Sequence, residues 1–279
     1  MKGKGIMKKA MIMTAVFGAV LGASAQDIKL ALQAYTFRDR TFVKTVETAK
    51  RLGIKYIEMY PGQKLGGGME GNTDFKKIKP ETVKQLKKFI DDSGVKVVSY
   101  GVTGAGSEEQ WGQMAKFAHV IGIKTIQIEM SADRKKFDLA EKMAEKYDLM
   151  IAIHNHRQEV GKPEGVLKQL EGRGPRIGAG SDIGHWMRAG VTPLDGVKLL
   201  KGRFVTMHLV DVEKIVTKGR SRDVPYGTGA GNLKGVMDEL KSQGFKGYVT
   251  LEYEHQSPTL EQEVGECVVW FNKYQAGKL

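Results

Sequence analysis

Between residues 124 and 210 the chain reads KTIQIEM (124–130), LMIAIHNH (149–156), RIGAGSD (176–182) and FVTMHLV (204–210). Each is a short apolar run that ends at or near an acid or a histidine. The polar residues Glu129, His156, Asp182 and His208 follow one another at steps of 27, 26 and 26 residues. One strand, one helix and two short loops take roughly that much chain. The repeat therefore predicts that each unit delivers one polar side chain to a common rim. Oxygen and nitrogen donors gathered on one rim are what a divalent metal ion needs.

The same alternation extends in both directions. Strand-like runs are expected at 28–37, 55–60, 95–102 and 248–254 as well, with helical patterns at 41–52, 80–92, 107–121, 137–147, 162–171, 192–201, 232–243 and 259–274. In the second helical stretch Val83, Leu86, Phe89 and Ile90 form an apolar stripe at helical spacing. Glycines at 53, 94, 122 and 244 stand just past helices and before strands, where the left-handed conformation ends a helix. Eight strands alternating with eight helices predict parallel strands joined by helical crossovers. An open doubly wound sheet usually carries a glycine-rich phosphate loop after its first strand; here that strand runs into TFRDRT. The expectation is an α/β fold, a (β/α)8 TIM barrel in one domain spanning 26–279. The longest irregular stretches, 61–79 and 211–231, both follow strands, on the side where such barrels keep their active sites.

Residues 1–25 have the pattern of an export signal. Lys2, Lys4, Lys8 and Lys9 precede an apolar run from Ala10 to Leu21, and Ala23-Ser24-Ala25 offers a small-x-small cleavage site. The apolar run is shorter than the roughly 20 residues that span a bilayer, so a membrane association after cleavage is not expected. Removing the segment leaves 254 residues and lowers the net charge from +12 to +8, because it holds four lysines and no acid. Export, with a periplasmic location, is the expectation. The remaining basic residues lie along helices, with no dense tract of interleaved aromatics, so nucleic acid is not an expected partner. The single cysteine, Cys267, sits in an apolar helical run and reads as a buried structural thiol.

At the rim, Glu129 ends a strand whose neighbours are apolar, a costly place for an acid unless it is paired or metal-bound. Asp182 and His185, three residues apart in SDIGH, can face one centre across a glycine-containing turn. His208 closes the seventh strand, with Asp211 just beyond it. Glu252 and Glu254, two apart on the last strand, share a face, and spacing alone leaves open which of them is the rim ligand. His154 and His156 bear the same relation, with Asn155 turned outward or into the loop. Glu58 is a further acid on the second strand. Carboxylates on opposite sides of a metal suggest proton abstraction beside a metal-polarised carbonyl, with return of the proton from the other side.

HNH on strand five, SDIGH on strand six, MHLVD on strand seven and LEYE on strand eight resemble the sugar phosphate isomerase/epimerase superfamily of xylose isomerase-like barrels, over about residues 28–275. The resemblance implies one divalent metal ion (Mn, Zn, Co or Mg) held by Glu129, Asp182, His208 and Glu252. It also implies Glu129 and Glu252 as proton carriers, and His185 and His156 as residues lining the substrate pocket. Glu58 joins the expected substrate contacts. Lys214, with Arg220 and Arg222 in the loop after strand seven, departs from the family pattern and suggests a hold on an anionic substrate. The expected partner is a sugar or keto-sugar and the expected activity an isomerase or epimerase. Two alternatives are a 3-keto-glycoside lyase/hydrolase or inosose dehydratase-type lyase using the same site, and a periplasmic sugar-binding barrel.

Overall fold

Eight parallel strands close into a barrel, and helices cover its outside. The structure is a computed structural model that describes residues 28–156, 159–217 and 220–279; the expected export signal lies outside them. Among the described residues no helix is long and apolar enough to cross a membrane. In chain order the elements are β1 (Ile28–Gln33), α1 (Phe42–Arg51), β2 (Tyr56–Met59), β3 (Lys64–Gly66), β4 (Met69–Asn72), α2 (Pro80–Ser93), β5 (Lys96–Thr103), α3 (Glu108–Ile121), β6 (Thr125–Glu129) and α4 (Arg134–Tyr147). There follow β7 (Met150–His154), α5 (Pro163–Leu170), β8 (Ile177–Asp182), α6 (Ile183–Met187), α7 (Pro193–Leu199), β9 (Phe204–Leu209), α8 (Leu233–Ser242), β10 (Gly247–Leu251) and α9 (Leu260–Gln275). The barrel order is β1-β10-β9-β8-β7-β6-β5-β2, closed by the pairing of β1 with β2.

Local chemistry explains the boundaries. Thr41, Ser107 and Asp133 accept hydrogen bonds from the first-turn N–H groups of α1, α3 and α4, satisfying donors that a helix start leaves open. Pro80, Pro163 and Pro193 open α2, α5 and α7, where a missing N–H costs nothing. Gly94 and Gly122 end α2 and α3 in the left-handed conformation, at φ 74° and 96°. Val83, Leu86 and Ile90 of α2 are buried as the stripe predicts, with Phe89 half-buried at its edge. Full burial of a side chain such as Leu86 contributes roughly 1.5–3 kcal/mol.

Several elements differ from the sequence reading: β7 ends at His154 and β10 at Leu251, so His156, Glu252 and Glu254 lie just past their strands. β1 stops at Gln33, and Ala34–Phe37 forms a 3-10 turn. The Gln33 side chain caps that turn, accepting from the Tyr35 N–H at 3.2 Å. The glycine-rich stretch after β2 holds an antiparallel hairpin, β3–β4. The link after β8 contains α6, a short helix capped by Asp182, whose Oδ1 accepts from the His185 N–H at 2.7 Å.

The barrel interior is polar where such barrels usually pack branched apolar residues. Gln33, Glu58, Ser99, Gln127, His208 and Thr250, one each from six strands, are all buried there and joined by hydrogen bonds. Gly180 on β8 leaves space for this layer. A Cβ at that position would stand 2.6 Å from the Ala152 Cβ and 2.9 Å from Gln127 Oε1.

Candidate metal and sugar site

Strand register brings the site together. Asp182 at the end of β8 lies beside His208 on β9, His208 pairs with Thr250 on β10, and Glu129 on β6 lies beside His154 on β7. Glu252 follows β10 directly. These residues stand at the C-terminal ends of parallel strands, on one rim.

His208 is the centre of the arrangement and is fully buried. Its Nε2 lies 2.9 Å from Glu58 Oε1, and its Nδ1 lies 2.7 Å from Glu252 Oε2 and 3.7 Å from Asp182 Oδ2. Burial opposes a charge on this ring, but Glu58 and Glu252 outweigh it and hold the imidazole well above its ordinary range. Burial likewise opposes ionisation of Asp182. The neighbouring histidines His185, His208 and His154 overcome it and keep this carboxyl well below its usual range. Glu252 is pushed up, first by burial and then by the negative charges of Asp182 and Glu58, against the pull of His208.

Glu58 is 0% exposed, so it corrects the expectation of a direct substrate contact. It is the buried anchor beneath the rim. Its Oε1 accepts from Gln33 Nε2 at 2.5 Å as well as facing His208, and its Oε2 accepts from Ser99 Oγ at 2.7 Å, from Thr250 Oγ1 at 3.4 Å and from Gln127 Nε2. By taking the Nε2 side of His208 it leaves Nδ1 to face the rim.

Glu129 is joined to the group through a histidine. Its Oε2 lies 2.6 Å from His156 Nδ1, and this hydrogen bond raises the affinity of the half-exposed His156 ring for a proton. Its Oε1 is buried without a hydrogen-bond partner. His154, His156 and His185 meet edge-on or tilted, with ring centroids 4.8 Å (His154 to His156), 4.9 Å (His156 to His185) and 6.1 Å (His154 to His185) apart. His154 is buried, and burial, then His208, holds it well below its ordinary value, so it is a neutral ring.

A cavity of about 250 Å³ opens over this rim, lined by His154, His156, His185, Glu252 and Glu254 together with Gln33, Tyr35, Tyr60, Pro61, Gly101 and Val102. Tyr35 and Tyr60 meet edge to face with centroids 5.2 Å apart. Glu254, two residues beyond Glu252, is pushed up to about 7 by burial and by its acidic neighbours Glu252 and Asp182. Both glutamates thus reach the cavity, and Glu252 is the one in contact with His208. Lys214 is exposed and is not part of the cavity lining, which removes the ground for its expected substrate contact. Arg222 pairs with Glu213 at 2.6 Å.

Several residues support the site through contacts that spacing did not reveal. Asn155 is buried rather than turned outward, and its amide bonds both the N–H and the C=O of Asp182 at 3.0 Å. Asp211 holds the following loop, accepting from the N–H groups of Gly227, Gly229 and Gly231. Asp223 pairs with the buried Arg188 and accepts from the backbone N–H groups of Glu254 and His255, which fixes the segment carrying Glu252 and Glu254. Cys267 is buried as expected, and burial pushes its thiol up to about 12.

The closed barrel, with a polar rim and a cavity at the C-terminal ends of its strands, defines a (β/α)8 barrel with a candidate site in the usual place for this architecture. Residues 46–274 match the xylose isomerase-like TIM barrel family, and the chain belongs to it. The structure is similar to an uncharacterized protein from Parabacteroides distasonis ATCC 8503, with TM-score 0.71 and 32% identity over 89% of this chain and 99% of the other. It is also similar in fold to a D-tagatose 3-epimerase-like protein, with TM-score 0.68 and 14% identity over 90% of this chain and 98% of that one. A third similar structure is the IOLI protein with a binding zinc atom, with TM-score 0.64 and 16% identity over 90% and 99% of the two chains. No protein of curated function matches the chain in sequence.

Proposed function

We propose that this protein is a metal-dependent carbohydrate isomerase or epimerase that moves a proton on the carbon beside a keto-sugar carbonyl. The observation that carries the reading is the approach of Glu252 and Asp182 to the same nitrogen, His208 Nδ1, with His154 within reach of Asp182 and His208. Donor atoms that share an ion through bonds of 2.0–2.2 Å stand about 3.0–3.4 Å apart. The spacings of 2.7 and 3.7 Å about His208 Nδ1 bracket that range. Nearby on the rim, the Oε1 of Glu129 is buried without a hydrogen-bond partner, and a donor set of carboxylates and imidazole suits Mn, Zn, Co or Mg. The zinc bound by the similar IOLI protein supports the same reading.

A divalent ion here would supply positive charge against a carbonyl and a neighbouring hydroxyl oxygen, acidifying the C–H between them. The chain's own residues do the rest. Glu252 and Glu129 are the two proton carriers, one taking the proton and the other returning it on the opposite side. Glu252 is oriented by His208, and Glu129 by His156. His156 and His185 line the cavity and offer polar contacts to sugar hydroxyls, while Tyr35 and Tyr60 present ring faces and edges to the apolar side of a sugar.

The test is incubation of the metal-loaded protein with keto-sugars in heavy water. Deuterium should enter the carbon next to the carbonyl, and absence of label from a panel of ketoses and keto-glycosides at full metal occupancy would overturn the reading. One observation favours a second outcome of the same chemistry. Glu254 is an additional carboxyl group on the cavity wall, two residues beyond Glu252, and a carboxylic acid there can protonate a leaving group, giving elimination of a β-substituent. Product mass separates the two: isomers keep it, while a lyase product loses water or an aglycone. A purely sugar-binding barrel would retain ligand in Glu129→Gln and Glu252→Gln and show no turnover in any form. We place the activity outside the inner membrane on the strength of the residue 1–25 pattern. N-terminal sequencing of the exported protein checks this, and an intact Met1 would refute it.

A further inference from the structure

We infer that His154, His156 and His185 form a second divalent transition-metal subsite, on the cavity side of the ion assigned to Asp182, His208 and Glu252, so that the working centre is dinuclear. This rests on the proposed metal chemistry and deepens it. One donor nitrogen from each of these three rings lies within 4.8 Å of the others. An ion bound through nitrogens at 2.0–2.1 Å stands about 3.2 Å from each ring centre, so tetrahedral imidazoles have centres about 5.3 Å apart. The observed 4.8, 4.9 and 6.1 Å bracket that value.

Two further features point to a ligand. The Nδ1 of His154 is buried without a hydrogen-bond partner in a residue only 2% exposed; leaving such an atom unsatisfied is costly. His156 gives its Nδ1 to Glu129, which leaves Nε2 as the ligating atom in the carboxylate–histidine arrangement common around bound metals. His154 is also within reach of Asp182 and His208, so it is the side chain common to the two clusters, and His156 and His185 mark off the upper one.

The two subsites differ in chemistry. Three imidazoles select Co, Ni, Zn or Cu and discriminate against Mg, whereas the carboxylate-rich lower set accepts hard ions. Because His156 and His185 line the cavity, an ion between them meets substrate oxygens directly.

The experiment is a Co²⁺ titration of the chelator-stripped full chain, followed by absorption spectroscopy and by elemental analysis after gel filtration. Two equivalents per chain are expected for the wild type, one for Asp182→Asn, and one for the double variant His156→Gln/His185→Gln, with circular dichroism reporting the fold of each. His156→Gln alone, at a half-exposed position, should weaken only one of the two equivalents, by tenfold or more. A single Co²⁺ lost in Asp182→Asn and kept in the histidine variants would overturn the second subsite and leave the proposed function standing. A single Co²⁺ kept in Asp182→Asn and lost in the histidine variants would overturn the dinuclear centre and the lower ligand assignment together. No bound Co²⁺ would overturn both.

Discussion

Replacing Glu58 by Gln isolates the role of the buried anchor. Glu58 faces five groups, two at Oε1 (Gln33 and His208) and three at Oε2 (Ser99, Gln127 and Thr250). A Gln side chain of the same shape keeps one oxygen. Placed at the Oε1 position, that oxygen retains Gln33 and His208. The new amide nitrogen then faces two hydroxyls, which can turn to accept, and the Gln127 amide, which can rotate to present its unpartnered Oε1. The fold should therefore survive at a cost of about 1 kcal/mol. What is lost is the negative charge that orients and enriches the His208 ring. Loss of such an outer partner typically weakens metal binding about 10–100-fold, or about 1.4–2.8 kcal/mol. Competition with a chromophoric chelator at fixed pH measures the affinity, urea unfolding measures the stability, and Glu70→Gln on the exposed β3–β4 hairpin is the control. Glu58→Ala is the wrong probe, because it leaves several buried donors unsatisfied at about 1–3 kcal/mol each. An affinity for Glu58→Gln within twofold of the wild type would refute the anchoring argument.

Further outcomes follow from the same geometry. Metal uptake should release a proton, since His208 Nδ1 must lose the one it shares with Glu252 before it can ligate. Calorimetry in two buffers of different ionisation enthalpy reads this directly, and identical heats would contradict it. Arg188→Met strips the buried Asp223 of its partner and should destabilise the protein by about 3–5 kcal/mol in urea; a change under 1 kcal/mol would count against the tie. Gly101→Ala puts a Cβ 2.5 Å from the Gln127 Cβ and 2.7 Å from its backbone oxygen, an overpacking worth about 1–3 kcal/mol that should lower Tm and metal affinity together. In the chelator-treated protein the raised pKa of Glu254, about 7, means that the folded state holds a proton which the unfolded chain releases at about 4.3. Stability should therefore fall as pH rises through that interval, and Glu254→Gln should flatten the slope of the urea midpoint against pH; an unaltered slope would dismiss the assignment.

Read by itself, the chain determined the barrel and the residues at its rim. Hydrophobic periodicity, helix-ending glycines and a repeat of 26–27 residues are local properties, and together they define how many strand–helix units there are and, to within a few residues, where each strand ends. Only the closed tertiary structure decided how those strand ends meet. Glu58 and Lys214 looked alike as charged residues near strand ends, yet one lies beneath His208 and the other is exposed, outside the cavity lining. Asn155 ties two strands, Asp223 positions Glu254, and Gln33, Ser99 and Gln127 surround Glu58, through contacts between residues as much as 69 positions apart. No window of sequence carries that information, because the cost of burying a charge depends on which donors barrel closure brings within hydrogen-bond distance.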